Sequence, residues 1–361
     1  MPATYWTFRR LGVLDQLKGS TFVKKYSVQF ANEWGKESQP FYFFEDNPHE
    51  CSQTWQVLRS EFDRMLLENA RKHGAEVVEG TRVLDVLFAD DRAYGVRVQN
   101  PDGSKEDIIA KVVVDASGQS SLIAQRLQLR QPDPVLRKAS IWTYYTGAQR
   151  DPDLDEGATL VLRTEQRKGW FWYLPLANDV VSVGVVSSID YLFRDRGDHE
   201  TIFYEEVERC PAVKKRLAPG KRTAGFYATK DFSYRSSRAA GHGWVVIGDA
   251  FGFLDPIYSS GVFLALKSGE WAADAIVEAN ANDDFSEQRL GSWAPTFLKG
   301  MERIKRLVYA FYDGFSFGQF IRHYPQYKRH IVDLLVGDVF KDSLDDVFPA
   351  MEESSQMQNR N

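Results

Sequence analysis

The chain has 361 residues, 43 % of them hydrophobic, and a formal net charge of −5. That length holds a large core or two domains, and the acidic balance excludes a global basic field for nucleic acid. Cys51 and Cys210 stand in no metal-ligand spacing, the six histidines form no H-x-x-x-H cluster, and no apolar run approaches 18 residues; this argues against a disulfide scaffold, a structural metal and a membrane span, and a reduced, cytoplasmic protein is expected.

In chain order, residues 4–17 are expected to be helical, with Trp6, Leu11, Leu14 and Leu17 partly at helical spacing. Loose alternation over 22–30 and 41–44 reads as two strands. Over 53–73 Val57, Leu58, Phe62, Met65, Leu66 and Ala70 recur on one helical face, and Gly74 supplies the stop. Short strands are expected at 76–78, 81–88 and 94–99, with Asn100-Pro101-Asp102-Gly103 as a hairpin turn, then a buried strand over 108–114 ending at Asp115. Strands at 139–146, 158–163, 170–176 and 180–187, with little helix between them, suggest one antiparallel sheet. Helix is expected over 200–218 and most of 293–339, and a polar, disordered tail after 346.

The most informative stretch runs from Gly243 to Gly261. A buried strand, Trp244 to Ile247, enters Gly248-Asp249; a loop containing Asp255 and Pro256 follows, and a helix begins at Ser260-Gly261. Glycines let a backbone approach a flat ligand, and a carboxylate at a strand end accepts hydrogen bonds from ribose or polyol hydroxyls. The helix start offers N–H groups and a positive dipole end to an anion or an electron-rich ring edge.

Three blocks, in order and spacing, carry a resemblance: Gln56-Val57-Leu58-Arg59-Ser60-Glu61-Phe62-Asp63, Val113-Val114-Asp115-Ala116-Ser117-Gly118-Gln119-Ser120-Ser121, and the Gly248–Gly261 segment. The chain resembles the FAD-dependent aromatic hydroxylases, geranylgeranyl reductases and flavin-dependent halogenases. The fold implied is α/β: a glutathione-reductase-like FAD-binding domain with an inserted antiparallel-sheet substrate domain and a helical C-terminal region. The expected boundaries are 1–135 with 236–285 for the FAD domain, the 18–45 strands joining the substrate side, 136–235 for the substrate sheet, 286–345 for the helical region, and 346–361 for the tail. The resemblance implies that Arg59 contacts the FAD phosphates or ribose, that Val83 lies by the adenine, and that Asp115, Gly248, Asp249, Pro256 and Gly261 line the cofactor, with Asp249 holding the ribityl chain. A forked guanidinium suits a pyrophosphate.

A fourth block, Gly169-Trp170-Phe171-Trp172-Tyr173-Leu174-Pro175, resembles the W-x-W-x-I-P signature of the halogenases, with Leu174 in place of Ile. Strand alternation puts Trp170 and Trp172 on one face, a wall between substrate and flavin in that family. The family's essential lysine matches Lys25, with Lys24 as the near alternative. Ser260 and Gly261 match its halide site. Tyr258 stands where the tryptophan-modifying members carry a glutamate, which points to the branch acting on phenols, pyrroles or carrier-tethered acyl groups. The chemistry implied uses reduced FAD from a separate flavin reductase, O2 and halide to make hypohalous acid, which passes to Lys25 and halogenates an electron-rich ring.

No G-x-G-x-x-G occurs; Gly241-His242-Gly243 precedes the wrong strand. The family's opening strand, glycine turn and helix are therefore expected to be missing, as an N-terminal truncation that weakens FAD binding and leaves a buried edge unpaired. Two alternatives stay open. One is a monooxygenase or ene reductase of the same fold, active with NAD(P)H and no halide. The other is a non-catalytic remnant that stays colourless with FAD.

Overall fold

The computed structural model describes residues 1–45 and 47–358. The chain divides into two compact units, one made of Pro2–Gly74 with Pro134–Phe232, the other of Met1, Ala75–Asp133 and Ser233 onward.

The first unit is built on an eight-stranded sheet. Its strands run in the order Lys221–Arg222, Lys138–Thr146, Val180–Ser188, Gly169–Pro175, Thr159–Arg163, Ser27–Ala31 and Phe41–Tyr42, with Tyr227–Lys230 also on Lys138–Thr146. All pairs are antiparallel except Thr159–Arg163 with Ser27–Ala31. Asn178 and Asp179, both with positive φ (60° and 58°), turn the hairpin between the two central strands; two such residues match the right-handed twist of the strands they join. One face of the sheet, bearing Phe171, Tyr173, Val181, Val183 and Val185, is sealed by the helices Ile189–Phe193, His199–Glu208 and Pro211–Leu217. Cys210 lies in that core, where burial pushes its thiol up to about 12; neither it nor Cys51 forms a disulfide among the described residues.

The same unit carries a separate two-stranded ribbon, Val23–Lys25 against Thr54–Gln56. The expected helix over 53–73 is thus shorter, Arg59–Lys72. Thr54 and Trp55, a β-branched and an aromatic residue, go to the ribbon, and Phe62 is the helix's buried anchor. The expected 4–17 helix is two helices, Thr4–Arg10 and Leu14–Lys18, parted at Gly12, whose φ is +70°. The 22–30 strand breaks at Tyr26, which lies between two different sheets.

The second unit holds three small sheets and most of the long helices. A hairpin sheet runs Arg82–Ala89, Arg92–Gln99, Lys105–Ile109, turned at Asn100–Gly103. Residues 76–78 form no strand, and Val78 is exposed. The expected 108–114 strand divides. Ile108 and Ile109 stay exposed on the hairpin, while Val113–Asp115 runs parallel to Trp244–Val246, because the chain changes sheets in between. Val113–Asp115 is an edge strand among the described residues; Val113 and Asp115 are buried and Val114 is exposed.

Helices Gly261–Asn282 and Ala294–Tyr312 follow. The tail expected to be disordered is helical over Val347–Gln358; residues 359–361 lie outside the described part. Val347, Phe348 and Met351 bury one side of that helix, and the Arg306 guanidinium sits 4.0 Å from the Phe348 ring centroid. Three apolar side chains at helical spacing outweigh the polar composition around them.

Candidate active site

In the second unit, the strand Trp244–Val246 delivers the chain to Gly248, whose φ of +56° is the left-handed conformation glycine tolerates. This turns the backbone directly onto Asp249, which is half-buried. The loop beyond is tied down from several sides. Tyr234 donates its hydroxyl to the Asp249 carbonyl at 2.6 Å, and Ser233 donates to the carbonyl of Leu254. Asp255 accepts from the Ile257 N–H at 3.0 Å and from the Tyr312 hydroxyl at 2.9 Å. Tyr258 is buried and donates to the Leu307 carbonyl at 3.3 Å, so it anchors the loop to the helix behind it. Pro256 opens the one-turn segment that Asp255 caps. The 22-residue helix then starts at Gly261 with buried Ser260 before it, and no side chain caps its first turn.

A left-handed glycine, a half-buried carboxylate and an uncapped helix start, held by a pinned loop, form a donor set that fits FAD. The carboxylate suits ribityl hydroxyls, and first-turn N–H groups suit an electron-rich ring edge or a halide. Asp115 plays a different part. Its two carboxylate oxygens accept the N–H groups of Ser117 (2.9 Å) and Ile123 (2.7 Å), so it closes its own turn rather than reaching outward. Val83 is 45 % exposed on its strand, beside a break in register before Asp85.

The first unit holds the other candidates. In Val23–Lys25 alternation turns Lys24 out and Lys25 in; Lys25 is 6 % exposed. No hydrogen-bond acceptor or carboxylate partners its ammonium among the described residues, and the Phe43 ring lies 6.0 Å away. Burial alone lowers its pKa to about 8. Arg59 opens its helix and forms a bidentate ion pair with Asp63 at 2.9 Å, with its side chain 64 % exposed.

Trp170 and Trp172 share the sheet face opposite the sealed core, their ring centroids 6.4 Å apart. The Trp172 indole N–H donates to Ser182 Oγ at 3.1 Å. The wall is wider than two indoles. Trp142 stands 6.3 Å from Trp172, and Tyr227, 48 % exposed, stacks on Trp142 at 5.5 Å. Gly184, opposite both tryptophans in register, makes the room: a Cβ there would lie 2.3 Å from Trp172 and 2.5 Å from Trp142. Sequence reasoning missed Trp142 and Tyr227. The alternation Ile141–Trp142–Thr143 offered a signal for Trp142; nothing local announced Tyr227. Among the described residues no cluster of His, Cys, Asp and Glu could hold a metal ion, and no helix is long and apolar enough to cross a membrane.

The sequence pattern of the tryptophan halogenase family matches residues 5–316. The chain is 29 % identical over 375 residues to a 1H-pyrrole-2-carbonyl-[peptidyl-carrier protein] chlorinase of Pseudomonas fluorescens, covering 98 % of this chain and 83 % of that one. It is 32 % identical over 280 residues to a 1H-pyrrole-2-carbonyl-[peptidyl-carrier protein] brominase of Pseudoalteromonas luteoviolacea, covering 77 % of this chain and 66 % of the relative. Among solved structures, flavin-dependent brominase Bmp2 superposes with a TM-score of 0.87 at 26 % identity, over 98 % of this chain and 87 % of that one. The myxobacterial chondrochloren halogenase CndH superposes with a TM-score of 0.78 at 33 % identity, over 87 % and 72 %. With the glycine–aspartate turn, the paired tryptophans and these likenesses together, the chain belongs to the tryptophan halogenase family and is a flavin-dependent halogenase, an oxidoreductase that uses FAD and halide.

Proposed function

We propose that this halogenase modifies an electron-rich ring of the pyrrole class presented on a carrier protein, with Lys25 as the residue that carries the electrophilic halogen. The observation behind the second part is Lys25 itself, a buried amine with no acceptor among the described residues, in the same unit as the tryptophan face. The names of the two pyrrolyl-carrier relatives support the substrate class, as does Tyr258, whose hydroxyl is spent on a backbone carbonyl and offers no carboxylate to a ring proton.

Reduced FAD, when bound, supplies hypohalous acid from O2 and halide. Gly248, Asp249, Pro256 and Gly261 would hold the cofactor, with Arg59 on its phosphates and Val83 by its adenine; Asp115 would act through the turn it closes. Ser260 and Gly261 would hold the halide. At pH 7 a lysine of pKa about 8 is roughly one-tenth neutral, against about one part in 2,500 for an ordinary lysine. The neutral amine takes the halogen from hypohalous acid with loss of water; the ring carbon then takes it from nitrogen, and the ring proton returns to the amine. The ammonium form can instead hold the acid by hydrogen bond. A separate flavin reductase and a cytoplasmic setting complete the reading, the latter in keeping with two cysteines that form no disulfide among the described residues.

The test is a Lys25→Ala variant, assayed by mass spectrometry with reductase, FAD and halide on a pyrrolyl-carrier protein and on the free acid. We expect halogenated product to fall about 10²-fold or more, and only the carrier-bound ring to react in the unaltered protein. Undiminished product from the variant removes the lysine role; product from the free acid alone removes the carrier.

A further inference from the structure

Lys25 sits on a ribbon of two three-residue strands that, among the described residues, belongs to no larger sheet. Such a ribbon has little stability of its own, and a buried, unpaired ammonium gains by reaching water. Something must hold the ribbon where it is. The Gln56 side chain, buried on the partner strand opposite Val23, donates from Nε2 to the Gly157 carbonyl at 3.1 Å and to Thr159 Oγ1 at 2.9 Å. Thr159 begins the strand that pairs with the tryptophan strand, so this amide joins the ribbon to the tryptophan-bearing sheet. Gly157 closes the joint from the other side. A Cβ there would lie 1.9 Å from the Lys24 carbonyl oxygen, so only a bare backbone approaches the lysine strand so closely. The turn before it is held by Tyr42, whose hydroxyl donates to Asp155 at 2.8 Å.

We propose that Gln56 and Gly157 are positioning residues for Lys25: they clamp its strand against the sheet and thereby aim the amine. The proposal rests on the role given to Lys25 above. It assigns a task to Gln56, which opens the block that carries Arg59. It predicts that loosening the clamp frees the lysine without removing it.

The experiment uses Gln56→Leu, Thr159→Val and Gly157→Ala, with Thr159→Ser as the conservative control. The pH dependence of Lys25 acylation by acetic anhydride is followed by peptide mass spectrometry without flavin, beside halogenation turnover. In the unaltered protein the acylation midpoint should lie at about 8. In Gln56→Leu and Thr159→Val it should rise by about one pH unit or more toward the ordinary lysine value, and turnover should fall about tenfold or more. Thr159→Ser keeps the acceptor and should keep both. A midpoint and turnover unchanged in both Gln56→Leu and Thr159→Val overturn the clamp, even if Gly157→Ala fails to fold. If instead Lys25→Ala halogenates normally while the midpoint still moves in Gln56→Leu, the clamp stands and the lysine's chemical role falls.

Discussion

The glycine–aspartate loop of one unit and the lysine ribbon of the other are the two candidate functional regions, built by different means. The loop and the turn beside it in the sheet are shaped locally, by a left-handed Gly248, an Asp255 that caps two residues on and an Asp115 that closes its own turn, and side-chain hydrogen bonds spanning 15 to 57 residues tie the loop down. The ribbon is held by the Gln56 side chain, which reaches a backbone carbonyl and a hydroxyl 101 and 103 residues further along the chain, and it carries a buried amine. A backbone-built region tolerates change at its surface and fails when a capping group is lost. A side-chain-built region fails when packing changes anywhere along its supports.

The sharpest way to break that contrast is Gly184→Val. The added side chain would have to displace both Trp142 and Trp172, so the variant should lose about 3 kcal/mol of unfolding free energy and red-shift its tryptophan fluorescence; an unmoved denaturation midpoint would show the tryptophan face to be loose.

Lys25→Met should do the opposite. The folded-state pKa of about 8 lies below the unfolded value near 10.4, so the unfolded chain binds more protons between those values and stability rises with pH across that window. At pH 7 the buried amine therefore costs folding energy, and Met should add about 2–3 kcal/mol, a gain that shrinks from pH 8 and is gone above about 10.4. Urea titrations at pH 7 and pH 10 check both size and sign; equal gains at the two pH values would mean the amine is solvated.

On the backbone-built side, Asp115→Asn leaves one of the two N–H groups facing an amide that cannot accept from it. A loss of about 1–2 kcal/mol by urea titration is expected, with weaker flavin binding following from the disturbed turn. Arg59→Ala should have the smallest effect on stability, since its ion pair with Asp63 is exposed and such pairs contribute little. A large loss of FAD affinity at an unchanged melting temperature would mark Arg59 as a cofactor contact; unchanged affinity would leave it a surface arginine.

The contrast also explains what could be read in advance. The Asn100–Gly103 turn, the strands from 138 to 188 and the strand–Gly–Asp–helix run were legible because each is specified by residues within a few positions of one another. Trp170 and Trp172 share a face because a strand alternates. By the same rule Lys25 rather than Lys24 points inward, although which parity faced the interior needed the fold. The reading went astray where neighbours in space decided. Thr54 and Trp55 fall within the range expected to be helical yet pair with Lys25 and Lys24. Ile108 and Val114 look like one strand and lie in two sheets. The polar tail forms a helix because Phe348 and Met351 find a surface to bury against. Tyr227 joined the wall, and Gln56 the clamp, through contacts that no local pattern encodes.

What the sequence alone determined was the family and the chemical kit: a carboxylate after a glycine, two indoles two residues apart, an amine on a strand. Tertiary structure decided which of those groups are buried, what each one touches, and hence their energies. A lysine's proton affinity depends on the water and charges around it, and that environment comes from segments the fold brings to it, such as those of Phe43 and Thr54 around Lys25.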